Sequence, residues 1–324
     1  MQNRTAQRIA LFVGIGLMAL KFLAWWITNS NAILTDALES IINVVAASFG
    51  LYSIWLSAMP RDENHPYGHG KIEFISAGFE GALILLAGLS IMGKAGYNLL
   101  YPQPIGKLDL GLILTAVAGA INFGLGYYLQ RLGRKQHSLI LTASGAHLKS
   151  DAYSSVGLVV GLGLVILTDL PLLDNIIAIF FGGVILFTGF KLVRTSIAGI
   201  MDEADDHLIR EMVQALQAER RRQWIDVHNF RVIKYGATLH IDCHMTLPWY
   251  FTTRQNFQEV KAFERLMMAH TERPVELFVH IDPCDPPENC RLCPVKDCPE
   301  RKAPQEERLD WTLDNIKENQ KHRI

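Results

Sequence analysis

The first 196 residues of this chain consist of apolar blocks separated by short polar joints, and that pattern restricts the fold more than anything else in the sequence. A helix that crosses a bilayer needs about 20 mostly apolar residues. Six blocks meet that length, near 8–27, 32–57, 74–96, 109–130, 139–167 and 173–193. The first, which contains LFVGIGLMALKFLAWWI, is too long for a signal-peptide core and lacks an A-x-A-like cleavage site, so it reads as a retained span. The remaining third has the composition of an ordinary soluble segment. The expected architecture is therefore an α-helical membrane protein with six spans in residues 1–200, followed by two further parts. Residues 201–283 would form a small α+β domain, and 284–324 a Cys-rich tail.

Arg4, Arg8, Arg61, Lys71, Arg131, Arg134, Lys135, Lys191 and Arg194 flank one side of the six-span arrangement, and only Lys94 and Lys107 the other. The positive-inside rule then places both termini in the cytoplasm. A reducing compartment disfavours disulfides among the five cysteines. A net charge of −1 leaves no electrostatic footprint for nucleic acid.

The spans are interrupted by side chains that are costly at membrane depth. Asp36, Glu39 and Asn43 stand at i, i+3 and i+7 and share one helix face. His147 and Asp151, at i and i+4, share another. Glu39, Asn43, His147 and Asp151 would supply two carboxylates, an imidazole and an amide oxygen if their helices are neighbours. That donor set suits a divalent ion such as Zn²⁺. The competing reading is an interhelical hydrogen-bond network without metal. Asp36, one turn earlier, suits an outer shell, a proton carrier or an entry residue. The joint 57–72 adds Asp62, His65 and His69, three potential ligands in a short stretch, with Pro66 and Gly68 favouring an irregular turn over a helix.

In the soluble part, charge and spacing suggest helices at 203–219 and 252–270 and strands at 226–234, 238–246 and 275–281. The order α-β-β-α-β predicts a small open sheet with helices on one face. Period-two alternation separates His240, Asp242 and His244 from Leu239, Ile241, Cys243 and Met245. A turn at Gly236 sets His228 opposite His244, and His280 and Asp282 can reach the same edge. Cys284, Cys290, Cys293 and Cys298 form C-x5-C-x2-C-x4-C, which fits a four-thiolate zinc site or free reduced thiols. Cys243 reads as an apolar core filler, and 305–322 as a short surface helix.

Several features together resemble the cation diffusion facilitator family: six spans, a polar pair in the second and H-x-x-x-D in the fifth. DENHPYGHGKIE at 62–73 and the H-x-D-P-C end at 280–284 add to the likeness. The resemblance runs from about residue 8 to Cys284. It implies a homodimeric exporter that exchanges a divalent metal for protons by alternating access, with Zn²⁺ the first expectation for substrate and for regulatory or structural ion. It maps transport ligands onto Glu39, Asn43, His147 and Asp151, and soluble zinc positions onto His228, His244, His280 and Asp282. The commoner second-span pair in bacterial zinc and iron members is Asp-x-x-x-Asp, where this chain has Glu39 and Asn43. Export of Fe²⁺, Mn²⁺ or Co²⁺ is the alternative within the family, and a non-transporting membrane-anchored metal sensor the alternative outside it. No H-E-x-x-H motif points to an enzyme. The short joint at 131–138 suits a prokaryotic plasma membrane.

Overall fold

A computed structural model describes residues 2–28, 31–101, 110–168, 170 and 172–323. The chain divides into two compact units, residues 1–201 and 202–324.

The first unit contains six long helices: α1 (Gln2–Thr28), α2 (Asn31–Ser57), α3 (Ile72–Leu100), α4 (Leu110–Lys135), α5 (Leu139–Thr168) and α6 (Leu172–Ile200). Among the described residues, four are long and apolar enough to cross a membrane: α1, the 40–57 part of α2, α3 and α6. Large apolar side chains such as Phe12, Leu86, Phe180 and Phe187 are exposed on these helices, as expected of surfaces facing hydrocarbon. Small residues let helices approach closely where lipid gives no hydrophobic drive for association. At Gly88 of α3, a Cβ would come within 2.9 Å of the Leu186 backbone nitrogen of α6, so a side chain there would force the two helices apart.

The second unit has the expected order: α7 (Asp206–Ala218), β1 (Asp226–Tyr235), β2 (Thr238–Leu247), α8 (Thr253–Ala269) and β3 (Val275–Pro283). β1 and β2 form an antiparallel hairpin, and α8 carries the chain across so that β3 lies parallel to β2. Local sequence fixes the helix starts. The Asp205 carboxylate accepts from the Leu208 amide at 3.1 Å, and Thr252 and Gln255 form a reciprocal capping box. Leu239, Ile241, Cys243 and Met245 are buried against Met212, Leu216, Phe263 and Met267 of the helices. Burial pushes the Cys243 thiol well above its ordinary range, in keeping with an inert core residue.

Residues 284–324 do not stand apart as a separate tail. Trp311 and Ile316 are buried in the same core as Val227 and Phe230. Nor does 305–322 form a helix; it runs as turns and irregular chain. Its backbone is spent on β1 instead, where the Asn229 and Phe230 amides donate to the carbonyls of Glu318 (2.7 Å) and Ile316 (2.9 Å). Arg220 lies over the Trp311 ring, 3.9 Å from its centroid. A three-stranded sheet with two helices leaves core surface uncovered, and the tail covers it.

Candidate metal centres

Within the helical unit, α2 and α5 meet at a polar contact. His147 Nε2 lies 2.9 Å from Asn43 Oδ1, and Asn43 Nδ2 donates to Asp151 Oδ2 at 2.7 Å. His147 Nε2 and Asp151 Oδ2 are 3.9 Å apart. The Asn43 amide thus bridges the two residues placed one helical turn apart on α5. With its nitrogen committed to the carboxylate, its oxygen must accept from the ring, which puts the imidazole proton on Nε2. His147 is buried, and its Nδ1 has no hydrogen-bond partner among the described residues. Asp36 and Glu39 belong to α2, but their side chains lie outside the described residues.

Two other groups draw three ligand atoms within 4.8 Å of one another: Asp62, His65 and His69, and His228, His244 and Asp282. In the first, Asp62 bridges both rings, with Oδ1 3.0 Å from His65 Nδ1 and Oδ2 3.3 Å from His69 Nε2. The loop turns at Gly68, whose φ of 88° suits glycine, and is not helical.

The second group sits on the sheet. Register places His228 opposite His244 and His244 beside His280. Asp282 is the hub. Its Oδ2 lies 3.4 Å from His228 Nε2 and 3.2 Å from His244 Nδ1, and its Oδ1 lies 3.3 Å from His280 Nδ1. His240 stays out of this cluster; it is buried against Tyr235, with Glu276 3.3 Å away.

Behind His228 is a contact with no signal in the sequence. Asp226 Oδ2 lies 3.2 Å from His228 Nδ1, which leaves Nε2 pointing toward Asp282. Asp226 also lies 2.7 Å from His322 Nδ1 and accepts the His322 backbone amide at 3.1 Å. Burial alone would raise the Asp226 pKa, but the adjacent His228 ring and the hydrogen bonds to His322 hold it well below the usual carboxylate range. Burial works against a charged His322, yet Asp226 raises its pKa. The C-terminal strap therefore reaches the back of the histidine cluster.

Cys284, Cys290, Cys293 and Cys298 line one cleft with Trp249 and Arg301. Arg301 fixes the loop by donating to the carbonyls of Cys290, Cys293, Val295 and Ala303. The donor type suits zinc, but among the described residues no three of these sulfurs gather as closely as the two histidine groups do. Burial raises the thiol pKa of Cys284 and Cys293.

Two buried carboxylates in α3 escaped the sequence reading. Glu73 accepts from the Ser138 hydroxyl (3.3 Å) and the Leu139 amide (3.0 Å), which ties it to the start of α5. Glu80 accepts from Ser144 at 2.7 Å. The reasoning that picks out Asp36 applies equally to Glu80, an acid inside the apolar block 74–96.

The match to known proteins agrees with this layout of polar side chains within apolar helices. Residues 8–201 match the model of a cation efflux transmembrane domain. This chain belongs to the cation diffusion facilitator family. It is a cation efflux transporter for divalent metals, not an enzyme. An uncharacterised transporter of Synechocystis sp. is 31% identical over 281 residues, covering 87% of this chain and 90% of that one. Metal tolerance protein C1 of Arabidopsis thaliana is 29% identical over 298 residues, covering 85% of this transporter and 61% of the plant protein. The cation-efflux pump FieF of Shewanella oneidensis is 24% identical over 282 residues, covering 86% and 94% respectively.

Proposed function

We propose that this transporter exports Zn²⁺ from the cytoplasm in exchange for protons, by alternating access at a site formed by Glu39, Asn43, His147 and Asp151. The observation that carries the reading is the Asn43 bridge, which brings the polar faces of α2 and α5 to one point. An ion bound there takes the place of that hydrogen-bonded chain. Asn43 turns its oxygen to the metal, and His147 presents a bare Nε2 while its hydrogen passes to Nδ1. A doubly protonated ring has no lone pair for the ion, so a further proton and the metal exclude one another at His147, which supports exchange over simple passage. Asp36, one turn earlier on α2, serves proton or metal entry.

In this reading all six helices span a prokaryotic plasma membrane, with both termini in the cytoplasm, and the protein works as a homodimer. His228, His244, His280 and Asp282 sense cytosolic metal. Asp62, His65 and His69 form an auxiliary site on the same side, and the four-cysteine cleft holds a structural ion. Zinc ranks first because imidazole and carboxylate suit it, whereas the amide of Asn43 widens the choice toward Fe²⁺, Mn²⁺ or Co²⁺. Uptake of Zn²⁺, Fe²⁺, Mn²⁺, Co²⁺ and Cd²⁺ into vesicles, with and without a pH gradient, tests both points. Wild type should favour Zn²⁺ and respond to the gradient, and Asn43→Asp should reorder the ions. Flux indifferent to the gradient would refute the exchange, and an unchanged order would remove Asn43 from selectivity.

A further inference from the structure

Among its described residues the helical unit holds two buried carboxylates outside the proposed metal site, Glu73 and Glu80, and their surroundings differ. Glu73 faces the first turn of α5, where a backbone amide and a hydroxyl donate to it. Amides at a helix start are well placed to hold a negative charge. Glu80 is 1% exposed and, among the described residues, has a single donor, the Ser144 hydroxyl, on Oε1. Its Oε2 is buried with no hydrogen-bond partner among those residues.

The other described neighbours, Gln7, Ala47, Gly50 and Ile140, are neutral. The Gln7 amide of α1 donates to Ser144 (3.1 Å) and to the Ala47 carbonyl of α2 (3.2 Å). Because Ser144 accepts from Gln7, its own hydrogen is committed to Glu80. Gln7 Nε2 and Glu80 Oε1 both rest against Gly50 of α2, 2.7 and 3.3 Å from where a Cβ would stand, beside the Ile140 methyl of α5. Gln7 Oε1 is also buried without a partner among the described residues. Among the described residues, the charged or titratable groups on the surrounding helices turn elsewhere. Arg4 of α1 donates to the Trp55 carbonyl, Arg8 is exposed, and Lys191 and Arg194 of α6 are exposed. On α5, His147 and Asp151 are engaged with Asn43, and Lys149 donates to Gln130.

One cluster thus contains two orphaned acceptor oxygens, one on an acid and one on an amide. A single proton on Glu80 Oε2 removes the buried charge and turns that oxygen into a donor, with Gln7 Oε1 as an acceptor in the same cluster. An ionised Glu80 would instead leave both oxygens unsatisfied and a charge uncompensated, the costlier state in a low-dielectric interior.

We propose that Glu80 is a proton-binding site of the transport cycle, separate from the metal ligands. It is a neutral carboxylic acid in the conformation seen here, and it releases its proton when the helices rearrange. The O–H bond breaks toward water on one side of the membrane and re-forms with a proton from the other. Gln7 and Ser144 are positioning residues that link this acid to α1, α2 and α5. The assignment rests on the proton-exchange reading, and it concerns a residue that does not touch the metal.

The test uses the full-length protein and Glu80→Gln, which mimics the neutral acid in shape. Infrared difference spectra at neutral pH should show the carbonyl stretch of a protonated carboxyl in wild type and lose it in the variant. In vesicles carrying a pH dye, Glu80→Gln should still move Zn²⁺ but export fewer protons per ion, with a flatter pH dependence. Ser144→Ala, which removes the one donor to Glu80, should keep the carboxyl band and shift the pH profile toward alkaline values. A neutral-acid band that survives in Glu80→Gln, or an unchanged proton count per ion, overturns the assignment. Wild-type Zn²⁺ flux without proton movement would refute the exchange reading instead, and the infrared band would still decide whether Glu80 carries a proton.

Discussion

The two units gather polar side chains in opposite ways. In the C-terminal unit a strand ladder does it. The pairing of β1 with β2 and β2 with β3 places His228, His244 and His280 in one row, and Asp282 follows two residues after His280. In the helical unit no ladder exists, and side chains meet only where packing brings two helix faces together, as α2 and α5 do at Asn43. Strand register is local information, carried by a hairpin turn and a period of two. Helix pairing is not local, because a shared face shows which residues travel together but not what they meet.

That difference suggests which perturbations matter, and for which unit. The largest effect expected on the sheet cluster comes from its hub. Asp282→Ala should lower metal affinity of the C-terminal site by about 100-fold, the scale of losing a buried charged partner. Asp226→Asn removes the support behind His228 and should cost about 10-fold, the usual scale for such outer contacts. Isothermal titration on the full-length protein, with the membrane site disabled by His147→Ala, would measure both. Equal affinities in all variants would show that the sheet cluster holds no metal.

A smaller effect concerns the C-terminal strap. Asp226 lies below its ordinary pKa and His322 above its own. The Asp226 contribution is present at neutral pH and is lost only in strong acid, as pH falls through its depressed folded value. The His322 contribution is complete below the ordinary imidazole value of 6.5 and fades as pH rises through the elevated folded one. In metal-free protein, hydrogen exchange at the Asn229 and Phe230 amides, which the strap carbonyls accept, should therefore quicken between neutral and alkaline pH beyond its intrinsic trend. His322→Ala should remove that excess. Identical pH trends in wild type and variant would mean that the strap is held by Trp311 and Ile316 alone.

Legibility in the sequence followed the same division. The α-β-β-α-β order, the core face of β2 and the row His228, His244, His280 could all be read from alternation and turn position. His240 shares that polar alternation but is buried beside Tyr235 and Glu276, since a strand face continues past the edge of a site. The strap reads as a surface helix in sequence because Leu309, Leu313 and Ile316 have near-helical spacing. The uncovered core that takes in Trp311 and Ile316 is visible only in three dimensions. Among the helices, the faces of α2 and α5 were legible from spacing. The bridging role of Asn43 was not, since it depends on which way an amide turns between two partners. Gln7 and Ser144 carry no signal of their own, and they gain meaning only beside Glu80.

The central claim is that the two units divide the work: ions cross at the α2–α5 contact and are sensed at the sheet cluster. It is tested most directly by Zn²⁺ flux in vesicles, with His147→Ala and Asp282→Ala compared at saturating metal. The account predicts that His147→Ala abolishes flux, while Asp282→Ala still transports and mainly shifts the metal concentration at which transport begins. Wild-type flux in His147→Ala would contradict it.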